Sequence, residues 1–165
     1  MDSTHLHLLL NHFPIIGTII GTGVMAYGYI AKSDVTKKAA LWTWVAMALV
    51  AIPVFLTGEP AEESVEGLPG VSEALIGAHE EAAELSLWVM EALGLFSLFA
   101  LFFKFKSDYN AKTVTLLLFL LSLITFGMMA RTGYLGGQIR HTEIRSGAVS
   151  PAENGGEIGG EKDDD

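Results

Sequence analysis

The stretch Ala78–Glu91, AHEEAAELSLWVME, gathers residue types that do chemistry: one imidazole, His79, and four carboxylates, Glu80, Glu81, Glu84 and Glu91. At about 100° per residue, Glu80, Glu84 and Glu91 fall on one narrow helical stripe, and His79, Ala83, Ser86 and Met90 on its neighbour. The stretch starts polar and runs into membrane-grade apolar sequence, with Glu91 about two turns inside that run. A carboxylate at such depth is costly unless it faces protein, water or a partner charge, so by default it marks a functional position. His5, His7 and His12 precede the first apolar block, and His141 follows the last.

Three chemistries are open to this set. In the first, two facing imidazoles ligate the iron of a b-type haem, with His12 and His79 as the preferred pair and His141 in reserve. Gly133, Gly136 and Gly137 would admit the flat ring, and Arg131 or Arg140 would pair with its propionates. In the second, His79, Glu80, Glu84 and His141 hold zinc or another divalent metal. The i, i+5 spacing of His79 and Glu84 is poor for two ligands on one helix face, and the Glu-x-x-His pairs of a diiron bundle are absent. In the third no cofactor binds, and the polar cluster is structural or meets a partner subunit. Glu91 and Arg131 are expected at similar depth and to form an ion pair, which would lower the cost of both charges. No nucleophile–base pair stands out, and Ser86 and Ser97 read as packing residues, so a membrane enzyme ranks last.

Four apolar blocks must position these residues: Phe13–Ala31, Ala39–Thr57, Leu85–Phe103 and Thr113–Ala130. Each holds about 18–19 residues, close to the ~20 that cross ~30 Å of hydrocarbon. Buried helices of a soluble bundle would each keep a polar stripe, and the second block has none. The expected fold is therefore all-α: an integral membrane, antiparallel four-helix bundle with an acidic extracytoplasmic loop. Its helices are placed at about 13–31, 39–57, 72–104 and 113–139. Asp2 stands where a cleaved signal would carry positive charge, so the first block is read as a retained span.

The net charge is −9, yet six of the seven lysines cluster as Lys32, Lys37 and Lys38 and as Lys104, Lys106 and Lys112. The positive-inside rule puts both clusters in the cytoplasm, and both termini and the loop 58–83 outside. An acidic outer surface excludes nucleic acid. With no cysteine there is no disulfide or thiolate chemistry. All five histidines then lie on the outer side, and the inner half offers none. One outer haem, exchanging electrons with an outer partner or a quinol rather than across the bilayer, is the redox arrangement this permits.

Finer signals mark the ends. Asn11 is a candidate cap for a helix beginning near His12, with Pro14 in its first turn. GTIIG, with Gly17 and Gly21, is a small-xxx-small contact. Trp42 and Trp44 read as inner-interface belt residues, and Pro53 as a kink. A short helix from Pro60 to Glu66, a turn at Leu68-Pro69-Gly70 and an N-cap at Ser72 make the outer loop an ordered lid. Asp108-Tyr109-Asn110 reads as a turn, and Ser146–Asp165 as a disordered acidic tail.

HLHLLLNHFPIIG at the start, the His79 region and GYLGGQIRH after the fourth block resemble a family of small bacterial four-helix membrane proteins of unassigned function. The likeness spans most of Leu6–His141. It marks His12, Phe13, Pro14, His79, Gly133, Gly136, Gly137 and His141, and implies a bacterial inner-membrane location, in which the termini of this multi-pass chain, placed outside by its lysines, would be periplasmic. Members often end on an aromatic and a His-Gly pair; here Thr142 and Glu143 follow His141. The chain is expected to be an accessory redox component binding one haem b at the periplasmic side. The alternative is a non-enzymatic membrane subunit or metal-binding protein that docks a periplasmic redox protein or the subunits of a membrane complex.

Overall fold

The computed structural model describes residues 2–103 and 107–145. Lys104, Lys106 and the acidic tail lie outside those residues. In chain order the elements are α1 (Ser3–Leu10), α2 (His12–Ile30), α3 (Asp34–Leu56), α4 (Gly58–Glu63), α5 (Glu73–Phe102) and α6 (Asp108–Arg140), followed by a 3-10 turn at Thr142–Ile144. No strand occurs among the described residues. Four helical segments are long and apolar enough to cross a membrane: α1 with α2, α3, α5, and α6.

Helix ends account for most departures from the sequence expectation. Ser33 accepts a hydrogen bond from Thr36 N, and Ser107 from Asn110 N, so α3 and α6 start about five residues before their apolar blocks. Asp108-Tyr109-Asn110 is thus the first turn of α6, not a loop. Asp2 caps α1, a helix where none was expected, by accepting from His5 N. Pro14 has no N–H to give Leu10, which separates α1 from α2 at a one-residue turn. Asn11 is that turn; its backbone is helical and its side chain makes no cap bond. Ser72 precedes α5 as expected but likewise makes no side-chain cap bond. The lid helix spans Gly58–Glu63 rather than reaching Glu66, and Gly70 takes the positive φ its turn requires (82°).

α2 packs against α3 and α6, and α5 packs against the same two, so the four long helices close a ring. Small residues let them approach. Met47 packs on Gly17 and Ala48 on Gly94, and a Cβ on Gly21 would sit 2.6 Å from Trp44 Nε1. Trp44 is therefore fully buried, not a belt residue, and its Nε1–H donates to Thr18 O at 3.4 Å. Trp42 stays half exposed with its ring edge-on to Phe102.

Hydroxyls stitch the interior: Thr22 Oγ1 donates to Ser122 Oγ (2.9 Å), and Tyr29 OH to Thr115 Oγ1 (2.8 Å). Each such bond between apolar helices contributes about 0.6 kcal/mol, at most ~1.7.

Candidate functional site at the histidine end

His79 stands one and a half turns into α5, at the boundary the sequence singled out. Its ring lies on α6. The absence of a side chain at Gly136 makes this possible, because a Cβ there would be 2.9 Å from His79 Cε1. From that seat Nδ1 lies 3.0 Å from Thr132 O. A carbonyl only accepts, so Nδ1 carries the proton and Nε2 keeps its lone pair. Thr132 adds a second tie, its hydroxyl donating to Ala82 O (3.1 Å) with Ser86 Oγ at 2.9 Å. Ser86 is thus a stitch, in line with its reading as a packing residue.

The preferred partner, His12, is not brought to His79. At about 100° per residue it occupies the face of α2 opposite the buried stripe of Pro14, Thr18, Gly21 and Met25. It is exposed above a groove shared with α3. His7 takes the inner position instead. Its Nδ1 donates to Val54 O at 3.0 Å, with Thr57 Oγ1 at 3.4 Å and Gly58 beneath its Cε1. His7 and His79 stand on α1 and α5 respectively. Sequence reasoning gave His7 no role, because its placement depends on α1, and the only signal for α1 was an Asp2 cap.

The reserve ligand, His141, is the C-terminal cap residue of α6 and is exposed, with Nδ1 2.8 Å from Glu143 Oε1. Glu80 and Glu84 are also exposed. Among the described residues no three His, Asp or Glu side chains converge as a metal site, so His79, Glu80, Glu84 and His141 are not brought together. Helical spacing explains it, since Glu84 lies about 140° around α5 from His79.

The Glu91–Arg131 pair is not formed; the described ion pairs are His5–Asp2, Lys37–Asp34 and His141–Glu143. Gly94 meets α3 at Ala48, whereas Ala82 and Ser86 meet α6 at Thr132. Glu91 lies about 60° beyond Gly94 and about 140° from Ser86, on the side of α5 away from Arg131. Arg131 is exposed, and Glu91 Oε1 is buried without a hydrogen-bond partner.

The three glycines do not form an open floor. Gly133 receives Ile15, whose Cδ1 would be 2.8 Å from a Cβ, Gly136 receives His79, and Gly137 faces Ile144. Arg140 is exposed. The cation with a clear task is Arg145. Its guanidinium donates to Gln138 O (2.8 Å), Ile139 O (3.0 Å) and Gly70 O (2.8 Å), closing the end of α6 and fastening the lid to it.

Comparison with family models, with curated proteins and with solved structures finds no match for this chain.

Proposed function

We propose that the four long helices cross a bacterial inner membrane as an antiparallel bundle, with both termini and the acidic lid outside. We further propose that the chain is an accessory redox component holding one haem b at that outer end. The lysine clusters at the opposite end support the orientation. The antiparallel order is supported by the ends that meet: the last turn of α2 beside the start of α6, through Tyr29 and Thr115, and the first half of α5 beside the last turns of α6, through His79 and Thr132. The inner-membrane placement follows the family likeness.

The observation that carries the haem reading is the His79 imidazole, fixed through Nδ1–H on a backbone carbonyl with Nε2 uncommitted. Ligand histidines are held and made more basic by such a second bond. His7 is held the same way on Val54 and replaces His12 as the second imidazole. The donor chemistry fits haem, whereas the glycines seat His79 and two isoleucines instead of a ring. Bound haem would supply one-electron exchange. The chain's part is to orient two imidazoles and to hold the lid through Arg145. The absence of inner histidines limits the exchange to the outer face.

The filled glycine surface favours a second reading, a non-enzymatic subunit whose lid docks a basic periplasmic partner. Between Glu59 and Glu84 the chain carries eight carboxylates and no lysine or arginine. Absorption spectra of the detergent-purified protein, oxidised and reduced, separate the two. The haem reading expects a Soret band lost in His79→Ala and His7→Ala and kept in His12→Ala. A colourless protein of correct helical content leaves the subunit reading.

A further inference from the structure

The end of the bundle opposite His79 is basic, and it is assembled from distant parts of the chain. Tyr29, in the last turn of α2, ties them together. The Lys37 ammonium of α3 lies 5.2 Å above its ring, and its hydroxyl donates to Thr115 Oγ1 of α6 at 2.8 Å. Lys112 stands one turn nearer the start of α6 than Thr115. Lys37 is the settled member of the group: its stem packs on Gly28 and its ammonium pairs with Asp34 at 2.9 Å. Lys32, Lys38 and Lys112 are exposed and make no ion pair among the described residues. Lys32 also sits on a strained backbone. It takes φ 52° in the turn from α2 to α3, a left-handed conformation that crowds a Cβ and that glycine adopts freely.

We infer that Lys32, Lys38 and Lys112 hold the phosphate head of an anionic phospholipid at this end of the bundle. The ammonium groups supply both the hydrogen-bond donors and the charge that a phosphodiester requires. A zwitterionic head would bring an ammonium of its own against them. Position argues for a lipid over a soluble anion. Ile30 and Val35, on either side of Lys32, are 80% and 81% exposed, and Trp42, one turn beyond Lys38, stays half exposed against Phe102. Apolar side chains bared beside the lysines suit acyl chains, and a tryptophan at that height marks headgroup level. A lysine near a membrane surface strengthens such binding about fivefold. The inference rests on the bilayer crossing proposed above, and neither on which end faces the cytoplasm nor on haem.

The test uses the full chain in nanodiscs of equal parts phosphatidylcholine and phosphatidylglycerol, with the retained lipids counted by native mass spectrometry. Preferential retention of phosphatidylglycerol is expected. The preference should fall about fivefold for each of Lys38→Gln and Lys112→Gln, and should be kept in Lys38→Arg with Lys112→Arg. Ser3→Asp with Ser64→Asp makes the same change of net charge as the two glutamines, at exposed positions of the other end, and should leave it unaltered. Lys32→Gly separates binding from folding. Thermal stability should not fall, since the strained backbone is relieved, while the preference should drop about fivefold. Equal retention of the two lipids, a preference unaltered by Lys38→Gln with Lys112→Gln, or one lost equally in Ser3→Asp with Ser64→Asp would each overturn the inference. Displacement of phosphatidylglycerol by inorganic phosphate, beyond that by chloride at matched ionic strength, would make this a site for a soluble anion and overturn it too. Failure to enter nanodiscs would overturn the bilayer crossing with it.

Discussion

Gly136 and Gly137 are neighbours with opposite tolerance for a methyl group. A Cβ at Gly136 collides with a ring that is itself tied to Thr132, whereas at Gly137 the nearest atom is Ile144 Cδ1 at an ordinary 3.5 Å. Gly136→Ala should therefore destabilise the protein by about 1–3 kcal/mol and Gly137→Ala by a small fraction of that, as read by thermal unfolding in detergent. Thr132→Val removes the hydroxyl that reaches Ala82 O and Ser86 and should cost about 1 kcal/mol; a neutral result would mean that this hydroxyl does not hold α5 to α6. The sequence singles out His79 and the glycines but pairs them by function. The glycines read as a floor for a ligand, because the spacing Gly133, Gly136, Gly137 does not reveal that Ile15 and His79 fill the space. Trp44 was misassigned for a related reason. An aromatic near a helix end reads as interfacial until Gly21, in another helix, is known to receive it.

Among the elements, the lid of α4 and the turn to Val71 is the part most open to chemical control. Burial and then the neighbouring charges of Glu80, Glu66 and Glu59 raise the Glu62 carboxyl above its ordinary range. The folded lid thus holds that proton more tightly than the unfolded chain does. Its contribution to stability is full below the ordinary Glu range and is lost as pH rises through the raised value. Hydrogen exchange over 58–72, corrected for intrinsic rates, should show a lid that loosens from mildly acidic to neutral pH, and Glu62→Gln should remove that dependence. Arg145→Ala should raise exchange in the same segment at every pH, since it severs the bond to Gly70 O while leaving the long helices packed. The lid was legible from Pro60, Gly70 and Ser72. Its fastening was not, because Arg145 lies 75 residues from Gly70 and follows no motif. Helix starts at Ser33 and Ser107 were underestimated because apolar blocks mark hydrocarbon thickness, while caps mark where a helix begins.

For the whole molecule, the sequence reading reached four helices long and apolar enough to cross a membrane, since clustering of apolar residues over ~20 positions is the strongest signal a chain carries. It missed which faces meet. Ser86 stands level with Thr132, so Glu91, five residues further in, lies roughly 6 Å deeper than Arg131 and on a different side of the ring; counting residues from the block ends predicted a pair that register and rotation both forbid. The proposed orientation is open to direct mapping, because the chain has no cysteine. In intact cells a membrane-impermeant maleimide should label Ser3→Cys and Ser72→Cys, and should label Ser33→Cys only after the cells are opened; the reverse pattern would invert the topology.

The haem proposal rests on His7 and His79 binding iron together at the end proposed to lie outside. Low-temperature electron paramagnetic resonance of the oxidised, membrane-extracted protein tests it most directly. The account predicts a low-spin ferric signal of two imidazoles that disappears in His7→Ala and in His79→Ala and persists in His12→Ala. A correctly folded protein without any haem-iron signal, or one whose low-spin signal survives the loss of His79, would contradict it.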